Sequence, residues 1–420
     1  MDRWKQPLKS KGDGQAMLRS MYSGISGMKN FQTKLDVIGN NIANVNTYGF
    51  KKGRVTFKDT MNQTISGASA ATQNKGGKNP MQVGLGSTIA SIDMIDTQSS
   101  LQTTGRALDL AISGDGYFVV KQGQSQMYTR AGNFYLDDNG TLVTGDGLKV
   151  QSLNNGILED ITVNVNALLP AKQTTELVMK GNLPEDAKGS SELLQQLKVV
   201  DGNGMDHVID MTLNPNGANG AATGNWTVSF VDKSIPVADP TAPNPNITTV
   251  NIQIPTNTPQ NITLKLNDGS GTATPFNVVL PLEGLTVDGG SMDANAYPDG
   301  NTQGALESFN IGSTGEINGV FSNGLVLTLG QLALAKFSNP SGLSKVGNNT
   351  LQESVNSGTA NINVPGEGRG SIAAGSLEMS NVDLSEEFTE MITAQRGFQA
   401  NTRIITTSDE ILQELVNLKR

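Results

Sequence analysis

Side chains able to do chemistry are sparse in this 420-residue chain, and their spacing does not suit it. There is no cysteine, which excludes a disulfide framework, a thiolate metal site and a cysteine nucleophile. The single histidine, His207, stands in D-G-N-G-M-D-H-V beside a turn. One imidazole makes no histidine cluster for a metal, and no Ser-His-Asp set is visible around it, so it reads as an ordinary surface or strand residue. Asp137, Asp138, Asn139 and Asp146 invite a calcium reading. Their glycine and acidic spacing departs from an EF-hand loop, and Asn139-Gly140 is instead a hairpin turn signal. Gly84-x-Gly86 and Gly114-x-Gly116 lack the strand-then-helix context of a phosphate loop and read as turns. The 39 acidic residues contain no pair set in a catalytic motif. No catalytic residue, metal or cofactor is expected, and the chain is not expected to be an enzyme.

Patterning is where the sequence speaks. Met21, Met28, Leu35 and Ile42 recur every seven residues near the start, and Leu384, Met391, Phe398, Ile405 and Leu412 do so near the end. A seven-residue apolar repeat puts one narrow stripe on a helix and calls for a partner helix. Periodicity alone leaves two readings open: a helix hairpin within one chain, or a contact between many chains. Both stripes are thin, with Gln32 and Gly39 beside one and Gln395, Thr402 and Asp409 beside the other. That favours ordering through neighbouring copies. Asn40, Asn41, Asn44 and Asn46 are poor helix formers, which fits amides bonded to such neighbours. Asp383 with Glu386 three residues later is a capping box opening the second helix.

Between the helices the composition turns to β structure. The many glycines, 48, against 5% aromatic residues point to turns and small β units instead of one large aromatic core. Leu108, Leu110 and Ile112 alternate, Tyr117 to Val120 form a short apolar run, and the segment 323–340 alternates again. From 161 to 308 lie twelve of the sixteen prolines and no arginine, with alternating runs at 226–230, 250–254 and 262–266. This predicts an inserted β sandwich or barrel-like unit. The expected fold is mainly β with terminal α-helices, the helices forming a coiled-coil core. Its parts are an extension at 1–16, a helical core at 17–46 plus 381–420, a linker at 47–80, an inner β domain at 81–160 plus 309–380, and an outer insert at 161–308. The net charge of −9 and 16% charged residues offer no basic surface for nucleic acid. No apolar run reaches the ~20 residues of a membrane helix, and residues 1–16 lack the apolar middle of a cleavable signal.

N-N-I-A-N-V-N-T-Y-G-F-K at 40–51, R-x-G-x-F at Arg130, Gly132 and Phe134, and M-I-T-A-Q-R-G-F-Q-A-N near the end resemble the flagellar rod and hook family of axial proteins. The likeness runs from Met17 through about residue 151 and resumes near 309. It makes Asn40, Asn41, Asn44, Asn46, Gly49 and Phe50 family-motif positions. It implies a structural subunit that polymerises through its terminal helices, hook-like or, alternatively, of the stiff distal-rod type. A secreted β-rich binding module is the reading from another class; it would expect aromatic platforms, for which only Trp226 and Tyr297 offer themselves. The partners implied are further copies of the chain, rod proteins, hook-cap and hook–filament junction proteins, and the flagellum's own export apparatus, which would carry it outward without a cleavable signal. Neither nucleic acid nor membrane insertion is implied.

Overall fold

The computed structural model describes residues 13–73, 75–154, 156–164, 168–185, 193–216, 224–232, 247–254, 259–267 and 273–418. Most of the extension at 1–16, and the last two residues, lie outside that set. A long helix stands at each end, α1 (Asp13–Ala43) and α2 (Leu384–Leu418), and the chain between them is built from strands. Two compact units divide it: the first comprises residues 1–163, 310–318 and 328–420, the second 164–309 and 319–327.

In the first unit the two helices pack on one another and run antiparallel. Going down α1, Gly24 meets Ile405, Gly27 meets Asn401, Phe31 meets Gly397, Lys34 meets Glu390 and Asn41 meets Glu387. The helix hairpin left open by the periodicity therefore forms within the chain. The start of α2 is capped as its sequence requires: Asp383 Oδ1 accepts from the backbone N–H of Ser385 at 2.8 Å and of Glu386 at 3.4 Å. The box is not closed, because the Glu386 carboxylate takes Lys52 instead, at 2.7 Å.

Segment 47–80, expected as a linker, carries ordered strands. Gly53–Asp59 pairs antiparallel with Ser87–Met94, and this ribbon also packs against α1. Phe57 packs edge-on against Phe31 with centroids 5.9 Å apart, and Asn30 donates to Ser87 Oγ at 2.9 Å. Asn62–Ser66 then pairs with Met81–Gly84, and bridges Ser69–Lys78 and Thr72–Lys75 continue towards the tip. Small polar residues supply no core there, yet backbone pairing closes the ribbon with nearly every side chain exposed, helped by Gln82 donating to Thr64 Oγ1 at 3.2 Å.

The rest of the first unit centres on Tyr117–Gln122, which pairs with Ser125–Thr129, Lys149–Asn154 and Leu334–Lys336. Tyr117, Val119, Tyr128, Ala335, Phe337 and Leu351 fill one core beside it. Phe118 stacks edge-on with Phe134 at 5.1 Å. Phe134–Leu136 and Leu142–Thr144 form the hairpin signalled by Asn139-Gly140, where Asp137 Oδ1 accepts from the N–H groups of Asn139 and Thr141.

In the second unit the strands Leu193–Val200, Asp206–Pro215, Asn225–Asp232 and Thr248–Gln253 form an antiparallel meander. Alternation buries Trp226, Val228 and Phe230 on one face. They share a core with Ile262 and Leu264 of the hairpin Gln260–Asn267/Ala273–Leu280 and with Met179 of Leu177–Pro184. His207 proves to be buried, 5% exposed, on this same face. Its Nδ1 is 3.4 Å from Asp232 and its Nε2 is 3.7 Å from Asp201 of the adjoining turn. Tyr297 is exposed, whereas Trp226 is fully buried, so these two aromatics make no joint platform. Among the described residues no cluster fit for a metal ion is present.

Trp226→Ala removes the largest fully buried side chain and is expected to cost about 3–5 kcal/mol. Hydrogen exchange should show protection falling across 206–232 while 53–59 is unchanged. Unchanged protection at 206–232 would contradict the placement of that core.

Candidate assembly site: the paired termini and their anchor

The helix seam is narrower and more polar than the apolar stripes suggest. Along α2 the buried column is Glu387, Ala394 and Ser408, with half-buried Asn401 between. Along α1 it is Gly24 and Ile38 with half-buried Phe31 between, and half-buried Val45, next in that column, lies just past the helix end. Met21, Met28, Leu35, Ile42, Met391, Phe398, Ile405 and Leu412 are half-buried, Ile405 meeting Gly24 and Met28 meeting Thr402 across the seam, and Leu384 is 40% exposed. Small residues at the crossing let the backbones approach closely. A Cβ on Gly397 would stand 2.6 Å from the Phe31 ring, and one on Gly27 would stand 2.9 Å from the Asn401 amide. Glycine in a helix costs up to ~1 kcal/mol in propensity, a cost that close packing offsets here.

Polar contacts fasten the base of the hairpin. Asn41 Nδ2 donates to Gly53 O at 2.9 Å and to Glu387 Oε2 at 3.1 Å, while its Oδ1 accepts from Gly53 N at 3.0 Å. The amide is thus spent inside the chain, not on a neighbouring copy. Asn44 also bonds locally, to Asn40 O at 2.9 Å, and accepts from Thr47 Oγ1 at 3.1 Å. Asn40 and Asn46 are exposed. Lys52 reaches Glu386, and its N–H donates to Asn381 Oδ1 at 2.7 Å.

Directly below lies a buried ionic node. Glu378, in the strand just before α2, is 1% exposed. Its Oε1 accepts from Lys51 Nζ at 2.8 Å and its Oε2 from Arg130 Nε at 2.5 Å. Arg130 further donates to the carbonyls of Gly116 and Gly114, the latter at 2.6 Å. Lys51 also donates to Thr97 O at 2.7 Å. Burial by itself would raise the Glu378 carboxyl. The guanidinium of Arg130 and the ammonium of Lys51 outweigh that and hold it below its ordinary value.

Gly49 is explained at the same place. Its φ is +69°, its N–H donates to Glu378 O at 2.8 Å, and a Cβ would stand 2.6 Å from the backbone of Arg130 and Ala131. Gly132 is equally constrained, since a Cβ would overlap Leu110 O. Phe50 is buried beneath the Lys345 ammonium, 4.9 Å from its ring centre. Segments from near both ends of the chain and from the R-x-G-x-F motif therefore converge on one anchor. Sequence reasoning singled out Arg130, Gly49 and Phe50, and Lys51 as the last residue of the 40–51 motif, but not Glu378. The Lys51–Glu378 pairing spans 327 positions, and neither neighbourhood signals a buried charge.

Helix-paired termini are thus joined to the β strands of the first unit through one anchor. Family models agree piece by piece: "Flagella basal body rod protein" matches 21–51, "Flagellar hook protein FlgE/F/G D1 domain" matches 111–179, and "Flagellar basal body rod FlgEFG protein C-terminal" matches 373–418. The chain is 41% identical to the flagellar basal-body rod protein FlgG of Bacillus subtilis, covering 96% of this chain and all of that one. It is 39% identical to the flagellar hook protein FlgE of Borreliella burgdorferi over the same shares, and 34% identical to the FlgE of Salmonella typhimurium over 95% of this chain and all of that one. The crystal structure of Helicobacter pylori flagellar hook protein FlgE2 aligns with 66% of the chain and all of its own at 13% identity, with a TM-score of 0.48. The chain belongs to the flagellar hook and basal-body rod protein family.

Glu378→Gln leaves two buried cations facing a neutral amide and is expected to destabilise the first unit by about 3–5 kcal/mol. The acid response follows from the same carboxyl. Because its folded pKa is depressed, its contribution is present above the unfolded value of about 4.3 and is lost as pH falls through the lower folded value. Melting temperatures measured from pH 7 to pH 3 should show that loss in the natural chain and a shallower acid dependence in Glu378→Gln. Identical profiles would show that the node does not hold the unit together.

Proposed function

We propose that this chain is the structural subunit of the flagellar hook, polymerising into a flexible, curved tube that carries torque from rod to filament. The observation that carries the polymer is the outer surface of α2, where Phe388 is 49% exposed and Ile392 59%. A helix already satisfied by an intrachain partner has no internal use for those side chains, and bare apolar faces of this kind mark protein–protein contacts. The family supplies the kind of assembly, and relatives carrying the hook name align along nearly the whole chain. In this reading α1 and α2 form the centre of the tube, with β units outside them, and the chain leaves the cell through the flagellum's own export apparatus. Rod proteins, the hook cap and the hook–filament junction proteins are its neighbours at the two ends of the tube. The work is mechanical and no reaction is involved.

A distal-rod role is the second reading, favoured by the name of the Bacillus subtilis relative. Length does not separate the two, because that rod-named protein aligns over 406 residues. Electron microscopy of the assembled chain does: a curved, bendable tube supports the hook and a straight, stiff one the rod. Phe388→Asp and Ile392→Asp should leave the melting of the subunit within about 0.5 kcal/mol of the natural chain, as is usual for exposed sites. Each should abolish polymer in a sedimentation assay, while Lys29→Gln assembles normally. Normal tubes from both aspartate variants would remove this face of α2 from the assembly contact.

A further inference from the structure

The core of the second unit, from Leu177 to Ala296, is joined to the rest of the chain by two backbone connections that run side by side. Leu168 and Leu169 pair antiparallel with Ala305 and Gly304. Lys172 and Asn301 exchange backbone N–H···O bonds of 2.8 and 3.0 Å, and Leu177 to Lys180 pair with Pro298 to Asn295. Between Lys172 and Leu177 the register shifts. Residues 173–176 oppose only 299–300, four positions against two, so the first strand carries backbone N–H groups that the ladder leaves over. Asp299 takes them up. Its Oδ1 accepts from the N–H of Thr175 at 2.7 Å and of Glu176 at 2.9 Å. Its Oδ2 accepts from the Thr175 hydroxyl at 2.9 Å and from Lys172 Nζ at 3.2 Å, and its own N–H donates to Glu176 O at 3.1 Å. Burial pushes this carboxyl up, but the donors of Glu176, Thr175 and Lys172 outweigh burial and hold it at about 2.

The shifted segment is also tied into the core strands. Thr174 is fully buried; its N–H donates to Val200 O and its hydroxyl accepts from Val200 N, each at 3.0 Å. Thr175 O accepts from Val279 N at 2.9 Å. Gly300 lies so close that a Cβ would stand 2.2 Å from the Thr174 hydroxyl oxygen. A force that pulls the two connections apart must therefore peel this ladder pair by pair before it reaches the core. At Asp299 four donors on one carboxylate have to let go together, and hydrogen bonds to a charged group are the strong ones. We propose that Asp299 is a mechanical clasp, the contact that sets how fast the core of the second unit opens when it is loaded through its two connections. The clasp is a property of one chain; only its use under torque rests on the polymer described above.

The test uses the full, unassembled chain, held at constant force through Asn164→Cys and Ser308→Cys, which supply the only thiols because the natural chain has none. At a fixed load Asp299→Ala should open about 10–100-fold faster than the parent, with Asp299→Asn and Thr175→Val faster by smaller factors. Trp226→Ala weakens the core itself, yet should leave the first opening step within about twofold, because the clasp gives way before the core is reached. Asp206→Asn removes an ion pair with Lys198 that lies off this ladder and should open at the parent rate. Parent-rate opening of Asp299→Asn and Thr175→Val overturns the clasp, even where Asp299→Ala does not fold. Trp226→Ala speeding the first step as much as the Asp299 variants do overturns it too, since the core would then bear the load. Both outcomes leave the polymer untouched, and a chain that forms no tubes leaves the clasp standing.

Discussion

One carboxylate between two cations ties the ends of this molecule to its middle. Glu378 is taken by Lys51, eight positions beyond the end of α1, and by Arg130, in the R-x-G-x-F motif of the β body. Each ion alone would be costly to bury, and only their simultaneous pairing, with Arg130 also donating to backbone carbonyls, makes the site tolerable. The consequence is geometrical. Three segments far apart in sequence are brought to one point, and the directions in which α1 leaves and α2 enters are set there. Gly49 follows from the same demand, since a side chain at that position would collide with the Arg130 backbone.

The helix hairpin depends on that anchor because its own seam is modest. Its centre is small or polar, with Gly24, Gly27, Ala394, Asn401 and Ser408, so little apolar area is buried per turn. What it gains instead is close backbone approach and a set of directed contacts at the base: Asn41 to Glu387, Lys52 to Glu386, Lys34 to Glu390. A seam of this kind leaves larger apolar side chains free on its flanks and outer surface. The proposed contact between copies draws on that exposed area.

Much of this was legible in the sequence. The seven-residue spacing placed both helices, and period-two alternation placed strands such as Asn225–Asp232 and Gln260–Asn267, because side-chain periodicity is a local property of the chain. Asn139-Gly140 and Asp383 foretold a turn and a cap for the same reason. The ribbon at 60–84 was not foreseen, since its order comes from backbone pairing between residues of no distinctive type. The burial of His207 was missed as well, because a turn-flanked histidine carries no local sign of the core that receives it.

By itself the sequence determined the element types, the absence of cysteine chemistry and, through long end motifs, the resemblance to flagellar axial proteins. Tertiary structure alone decided which columns of the two helices are most deeply buried, and that Asn41 is satisfied within the chain. It alone showed that Lys51, Arg130 and Glu378 share one buried site. Periodicity states which side chains share a face of a helix, but which face meets which is settled by how closely two backbones can approach. Charge pairing across 327 positions likewise leaves no mark on either neighbourhood, because it is the folded path and not the local spacing that brings the partners within 3 Å.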